Sequence, residues 1–571
     1  MPTLSDPIDS RRQTGAGVLL DTPGAAMEVL VPEADRDRAA SAWRAHAERL
    51  TRALGWDSRF VSRPFPRGLS LALSSPVDLL YTATEVNEAA WAAARAEIEG
   101  SEPPDPEAII DRLRAEAGDE SDPPLATLIA AAEARAVPLV WDDDAVTVGL
   151  GARGVTYPPD GLPAPEAVDW DAVGAIPTAL VTGTNGKTTT VRLLASMADA
   201  AGHTTGHSTT DYVKVGAEVV DRGDFSGPLG ARAVMRDDRV TLAVLETARG
   251  GLLRRGVPVP LVTAAAVTNV AADHLGDYGV ETVRDLARAK FVVAKALGPG
   301  GILVVPADEP DATAEAARQA SVLEARGVRL AWTALDPEAP TPTGDPLTGT
   351  VRDGQIALRD AGGWRPICAV DAIPASLGGA ARHIVRNALT ASGLASALGV
   401  PDAAIAEALQ DFRSDADDNP GRANRFDVRG ATVVVDYAHN AHGLRALTEA
   451  AEAWRGRRTL VLFGSAGDRS DADMAAMCDV IARLGADRYL VVDIPGYLRG
   501  RAEGEVPALL ARLLVERGVG AEACTVLPDP LAGTEVALDW VEPGDLALLI
   551  VLSQRDAVLD RLRTEAARAA G

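Results

Sequence analysis

The stretch Gly183-Thr184-Asn185-Gly186-Lys187-Thr188-Thr189 sits between an apolar run, Thr178–Thr182, and a helical pattern that opens at Lys187. These residue types suit a phosphate. Glycines let backbone N–H groups approach it, and a helix N-terminus adds its dipole. In that placement Lys187 would reach the terminal phosphates and the Thr188 hydroxyl would meet Mg²⁺. The spacing departs from the strict phosphate-loop pattern, because Val181 stands at the first glycine position. A chance glycine-rich turn is the competing reading.

Two further clusters close apolar runs of their own. In Leu245-Glu246-Thr247-Ala248-Arg249-Gly250-Gly251, Glu246 would be a hard oxygen ligand for Mg²⁺. In Thr268-Asn269-Val270-Ala271-Ala272-Asp273-His274, His274 could bind a second metal, and Lys290 follows on a predicted helix. Taken singly, each has an ordinary reading: a surface acid, a buried structural histidine, an exposed lysine.

The elements that must position these residues alternate. Strands at Thr178–Thr182, Leu242–Glu246 and Ala264–Thr268 are separated by helices such as Lys187–Ala201 and Val283–Leu297. That order predicts an α/β fold with a doubly wound, mostly parallel sheet, whose ligands gather at the carboxyl ends of the strands. Thr333–Thr350 reads as a surface excursion, His383–Leu398 as a helix and Asp415–Pro420 as a hinge. Strands at Thr432–Val435, Thr459–Phe463 and Tyr489–Val492 predict a second, smaller α/β domain. Upstream, Met27–Val31 reads as a strand and Arg36–Leu54 and Glu85–Glu99 as helices, an α+β region. Ser101–Pro124 reads as an acidic, Pro-rich linker around one short helix. The expected domains are residues 1–172, 173–417 and 418–571.

Bulk properties bound the function. A chain of 571 residues implies two to four domains. No apolar run reaches the length of a membrane span, and the polar Met1–Gly17 does not read as a signal peptide. Three separated cysteines, Cys368, Cys478 and Cys524, suit a reducing cytoplasm and suggest no zinc site. The net charge of −25 argues against nucleic acid; it serves solubility or favours a cationic substrate. Only four lysines, Lys187, Lys214, Lys290 and Lys295, stand among 56 basic side chains, so two of the few survivors fall inside the motifs above.

Read together, the order GTNGKTTT, LETARGG, TNVAADHLG and Lys290 resembles the central domain of the Mur ligase superfamily, and within it the Mur-like half of the cyanophycin synthetases. Ser208-Thr209-Thr210-Asp211, Gly223–Pro228, His383, Asn387, Asn419-Pro420-Gly421-Arg422, Asp436-Tyr437-Ala438-His439-Asn440 and Gly467-Asp468-Arg469 extend the resemblance to the C-terminus. It implies a Mur ligase-like fold with a phosphate-loop central domain and a Rossmann-like C-terminal domain. Gly183, Thr184, Asn185, Gly186, Lys187, Thr188 and Thr189 would hold ATP. Thr188, Glu246 and His274 would hold Mg²⁺, two ions in all. Lys290 matches a lysine that many Mur ligases carbamylate. Asn387, Arg422 and Asp436 would contact the nucleotide. The implied activity is an ATP-dependent amide ligase: a peptide or small acid becomes an acyl phosphate and is coupled to an amino acid, with arginine on an aspartyl side chain as the implied pair. A Mur-like subunit serving an amidotransferase and a phosphate-loop kinase or ATPase are the alternatives, and a homo-oligomer stays open. Ser75–Glu88 is similar to the N-terminal domain of the same enzymes, or a plain strand–turn–helix with Tyr81 in a core. Their ATP-grasp domain has no counterpart here.

Overall fold

The computed structural model describes residues 4–415 and 419–570. Residues 416–418, the middle of the expected hinge and the site of the expected second domain boundary, lie outside the described residues, as do Met1–Thr3 and Gly571. The chain forms two compact units. One comprises residues 1–350, 358–365 and 389–405; the other comprises 351–357, 366–388 and 406–571.

The first unit opens with β1 (Pro7–Gln13), β2 (Gly24–Leu30), α1 (Arg36–Ala53), β3 (Phe60–Phe65), β4 (Gly68–Ser74) and α2 (Leu80–Glu99). The strands pair antiparallel in the order β1-β2-β4-β3. Alternate residues Met27, Val29, Leu69, Leu71 and Leu73 meet Trp43 of α1 and Trp91 of α2 in one core. The Trp43 indole N–H donates to Asn87 Oδ1 at 2.9 Å, so the buried ring leaves no polar atom stranded. Tyr81 stays out of this core: it is 52% exposed, with the Arg12 guanidinium 3.5 Å above its ring.

The segment read as a linker around one short helix, Ser101–Pro124, holds the longer helix α3 (Pro106–Glu120), and its last two residues open a second, α4 (Pro123–Glu133). Asp105 and Asp122 accept from the backbone N–H groups of Glu107 and Leu125, with proline in each first turn. Side-chain capping plus a pre-set φ starts both helices despite the acidic, Pro-rich composition. A small antiparallel sheet follows, β5 (Leu139–Trp141), β6 (Val146–Val148) and β7 (Val155–Tyr157).

The larger sheet is built from β8 (Thr178–Thr182), α5 (Lys187–Ala200), β9 (Thr205–Ser208), β10 (Tyr212–Val215), β11 (Glu218–Arg222), α6 (Pro228–Arg236), β12 (Leu242–Glu246), α7 (Arg249–Arg255), β13 (Val262–Val267), α8 (Val283–Lys290), β14 (Leu297–Pro306), α9 (Pro310–Ala325), β15 (Arg329–Ala334) and β16 (Gly349–Arg352). Nine of its eleven strands run in the order β11-β10-β9-β12-β8-β13-β14-β15-β16. From β9 to β16 neighbours are parallel, and β10 and β11 are added antiparallel at one edge. Every residue of β8 and β12 is buried, as expected of strands covered on both faces.

Two readings shift. The helix expected to reach Leu297 ends at Lys290 and tightens into a 3₁₀ segment, Phe291–Ala296. Phe291, Val292, Val293 and Ala294 are all buried, and the tighter winding carries this apolar run directly into β14. The expected excursion at Thr333–Thr350 has its ends in the sheet, where Thr333 pairs with Gly349.

Strands β17 (Gln355–Asp360) and β18 (Gly363–Ala369) and helices α10 (Arg382–Ala397) and α11 (Asp402–Asp411) have residues divided between the units. The second unit then carries β19 (Asn424–Val428), β20 (Ala431–Asp436), α12 (Ala441–Ala451), β21 (Thr459–Gly464), α13 (Asp471–Arg483), β22 (Arg488–Val492), α14 (Glu505–Glu516), β23 (Cys524–Leu527), α15 (Pro530–Trp540), β24 (Leu546–Ile550) and α16 (Arg555–Ala570). Its sheet order is β19-β20-β24-β21-β22-β23, parallel except for the β19 edge. Separate apolar clusters around Phe463 and Leu462 cover its two faces. Among the described residues no helix is long and apolar enough to cross a membrane.

Within the first unit, β1 is tied to α7. Thr14 N and Gly15 N donate to Arg255 O at 3.0 and 2.9 Å, and Arg11 Nε donates to Leu253 O at 2.9 Å. Arg11 also pairs with Glu28, whose side chain is 1% exposed. Arg11→Met should therefore lower the stability of this unit by about 3–5 kcal/mol, the cost of leaving a buried charge alone. Chemical denaturation of both proteins measures it.

Candidate active site

Strand β8 lies between β12 and β13, with Val181 in register with Glu246 and Thr182 with Val267. The three strands therefore end side by side, and the three motifs begin where they end. Parallel strands make this inevitable, because equal register fixes which residues leave the sheet together.

The glycine-rich turn is built tightly. Gly186 has φ +81°, and a Cβ placed on Gly183 would lie 1.8 Å from Thr268 Oγ1. Asn185 is clasped by the next motif: its N–H donates to Asn269 Oδ1 at 2.9 Å. Its carbonyl accepts from Asn269 Nδ2 at 2.9 Å and from Thr268 Oγ1 at 2.7 Å. Thr184 N donates to Asn269 O at 3.0 Å, and Ala271 N donates to Thr184 Oγ1 at 3.0 Å. Lys187 Nζ turns back to donate to Thr184 O at 3.2 Å.

Thr188, in the first turn of α5, donates to Glu246 Oε2 at 2.8 Å, and both residues are buried. Thr210 joins them, with its Oγ1 3.3 Å from Thr188 Oγ1 and its N–H 3.4 Å from Glu246 Oε2. The segment carrying Thr210 is fixed by the buried Arg192–Asp211 pair at 2.6 Å. One carboxylate and two hydroxyls thus converge. These hard oxygen donors fit Mg²⁺, which keeps several waters and accepts phosphate oxygens in its remaining positions. Among the described residues no group of three or more His, Cys, Asp or Glu side chains could cage a metal.

His274 lies beyond β13 in a left-handed conformation, φ +50°, and its carbonyl accepts from the Arg249 guanidinium. Lys290, the last residue of α8, is 3% exposed, which rules out the ordinary alternative of an exposed lysine. Burial first, then the Lys187 ammonium and the Arg249 guanidinium, hold its amine well below the usual lysine range, with Asp273 opposing. Asn387, Arg422 and Asp436 belong to the second unit. There, burial raises the Asp436 carboxyl, opposed by Arg422 and by the N–H groups of Ala423, Ala438 and Tyr437. The Arg422 guanidinium lies 4.4 Å over the Tyr437 ring. His383 is pushed down to about 4 by burial, with Arg386 and His442 adding to the effect.

Sequence reasoning gave no role to Thr210, Thr268 or Asn269. Threonine and asparagine carry no distinctive signal until the strand ends are brought together.

Residues 181–331 match the Mur ligase middle domain, and residues 421–550 match the Mur ligase, glutamate ligase domain. This chain is built on both Mur ligase domains. It is 33% identical over 387 residues to the cyanophycin synthetase of Synechocystis sp., a match covering 67% of this chain and 43% of that protein. The chain thus spans less than half the length of this curated relative. It is 28% identical over 379 residues to UDP-N-acetylmuramoyl-L-alanyl-D-glutamate–2,6-diaminopimelate ligase of Bradyrhizobium diazoefficiens, covering 65% of this chain and 72% of that one. The structure of E. coli FolC in complex with ADP, at 20% identity, covers 69% of this chain and 90% of its own with a TM-score of 0.51. That likeness establishes the shared fold.

The state of Lys290 is testable through stability alone. A folded-state pKa below the unfolded value of about 10.4 costs stability at neutral pH, and the cost fades as pH rises toward that value. Lys290→Met should raise the thermal midpoint more at pH 7 than at pH 10. An equal shift at both would mean that Lys290 titrates normally.

Proposed function

We propose that this chain is an ATP-dependent carbon–nitrogen ligase that activates a carboxylate as an acyl phosphate and couples it to the amine of an amino acid, releasing ADP and phosphate. The observation that carries the proposal is the convergence of Thr188, Glu246 and Thr210 beside the glycine-rich turn. In this reading Gly183–Thr189 hold the phosphates of ATP, with Lys187 at the terminal ones. Thr188, Glu246 and His274 hold Mg²⁺, which neutralises charge on the phosphate oxygens. Lys290, whose amine is held well below the usual lysine range by burial, is the group able to form a carbamate, which Arg cannot do. Asn387, Arg422 and Asp436 are assigned to the nucleotide.

A carboxylate is a poor electrophile, and its oxygen leaves badly. Attack of a carboxylate oxygen on the γ-phosphorus breaks the bond to ADP and yields a mixed anhydride. The amine then adds to the acyl carbon, loses a proton and expels phosphate. Phosphoryl transfer asks chiefly for positioning and charge neutralisation, and these residues supply both. Aspartyl peptides with arginine are the first pair to test. This choice rests on the resemblance and weakly on the net charge of −25.

ADP release should require acid and amine together, read by a coupled assay across aspartyl peptides and each amino acid. Turnover with ATP alone at the full rate would favour a kinase or ATPase. Lys187→Ala should abolish turnover while the far-ultraviolet circular dichroism stays unchanged. Lys290→Ala should regain part of its activity when a small carboxylic acid is added, and Lys290→Arg should not. Three equally active forms would remove Lys290 from the site.

A further inference from the structure

We propose that the N-terminal antiparallel sheet is a positioning device for the His274 loop, with Arg67, aided by Arg63, holding residues 274–281 in their bound-ready shape. The inference rests on the ligase reading for what His274 does; the clamp itself rests on contacts.

The loop needs holding. His274, Gly276, Tyr278 and Gly279 all have left-handed φ values, +50°, +103°, +53° and +66°. Two of the four are not glycine, and such conformations persist only where the surroundings enforce them. The enforcement comes from arginines. Arg249, at the start of α7, grips the His274 carbonyl and Asp277 Oδ2, the latter at 3.0 Å. Arg67 Nη2 donates to Gly276 O at 2.7 Å, while its Nε and Nη2 donate to Glu281 Oε1 at 3.1 and 2.9 Å. Arg63 Nη2 donates to Gly279 O at 3.1 Å and Tyr278 O at 3.4 Å. The sheet also presses on the loop. A Cβ on Gly279 would meet Ser70 Oγ at 2.7 Å and Phe65 Cδ1 at 3.1 Å. Just past the clamp, Thr282 caps α8, the helix that ends at Lys290. One hairpin of the N-terminal sheet therefore holds the segment that carries His274 and leads to Lys290.

Arg67 sits in the two-residue turn between β3 and β4, and its side chain is 54% exposed. Removing it takes nothing from a core. A lysine cannot reproduce its fork, so Arg67→Lys should fail much as Arg67→Ala does.

The experiment uses the full chain and Mn²⁺ as a probe, with a non-hydrolysable ATP analogue, read by electron paramagnetic resonance. Hydrogen exchange is followed over residues 272–282. Arg67→Ala and Arg67→Lys should keep the thermal midpoint, exchange faster in that segment and bind Mn²⁺ about 10- to 100-fold more weakly, the effect of losing a group that supports a ligand. Arg67→Ala combined with His274→Ala should bind no more weakly than His274→Ala alone. If His274→Ala binds Mn²⁺ like the wild type, the metal role of His274 falls, whatever the clamp does. If His274→Ala weakens binding while both Arg67 variants match the wild type in binding or in exchange, the positioning proposal is overturned.

Discussion

Across 2.8 Å the Thr188 hydroxyl meets the Glu246 carboxylate, one from the first turn of α5 and the other from the last residue of β12. That contact is possible only because β8 and β12 are parallel neighbours in equal register. The sheet is therefore more than a scaffold: its strand order decides which residues meet at its carboxyl end. Placing β13 on the other side of β8 brings Thr268 and Asn269 against the same turn. Moving any one strand would separate the carboxylate, the hydroxyls and the glycines.

Charge is the second constraint. The protein carries a net −25, yet the Lys187 ammonium and the Arg249 guanidinium both act on Lys290, with Asp273 opposing them. The burden falls on Lys290, the buried member, which is held toward its neutral form. Lys290 and Lys187 are half of the lysines in the chain, all other basic side chains being arginine. A guanidinium cannot shed its proton in a protein, whereas an amine can. Retention of lysine at a buried position next to other cations is consistent with a role that needs the neutral form.

Much of this was legible in the chain. Thr178–Thr182 and Leu242–Glu246 emerge as strands at the residues their apolar runs mark, because strands buried on both faces write themselves as unbroken apolar stretches. The glycine-rich turn was readable because glycine and lysine are demanded there by geometry and charge. Other features depend on the tertiary environment. The 3₁₀ turn at Phe291–Ala296 follows from how a buried apolar run enters β14, which periodicity alone cannot report. The helices after Asp105 and Asp122 were signalled by the cap and the following proline, but composition pointed the other way. Arg63 and Arg67 stand some 200 residues from the loop they grip, and nothing local distinguishes them from any surface arginine. Thr210 was visible as part of a segment, and its placement beside Glu246 awaited the sheet.

The clasp on Asn185 carries a thermodynamic consequence. Its amide N–H and its carbonyl are both engaged by residues from the end of β13, so the cradle is shaped before any nucleotide arrives. The conformational entropy of ordering that turn is met when the chain folds and is absent from the association step. On the proposed function, nucleotide capture at Gly183–Thr189 should then show the modest heat-capacity change of docking into a rigid receptor, without the larger one that accompanies a loop ordering around its guest.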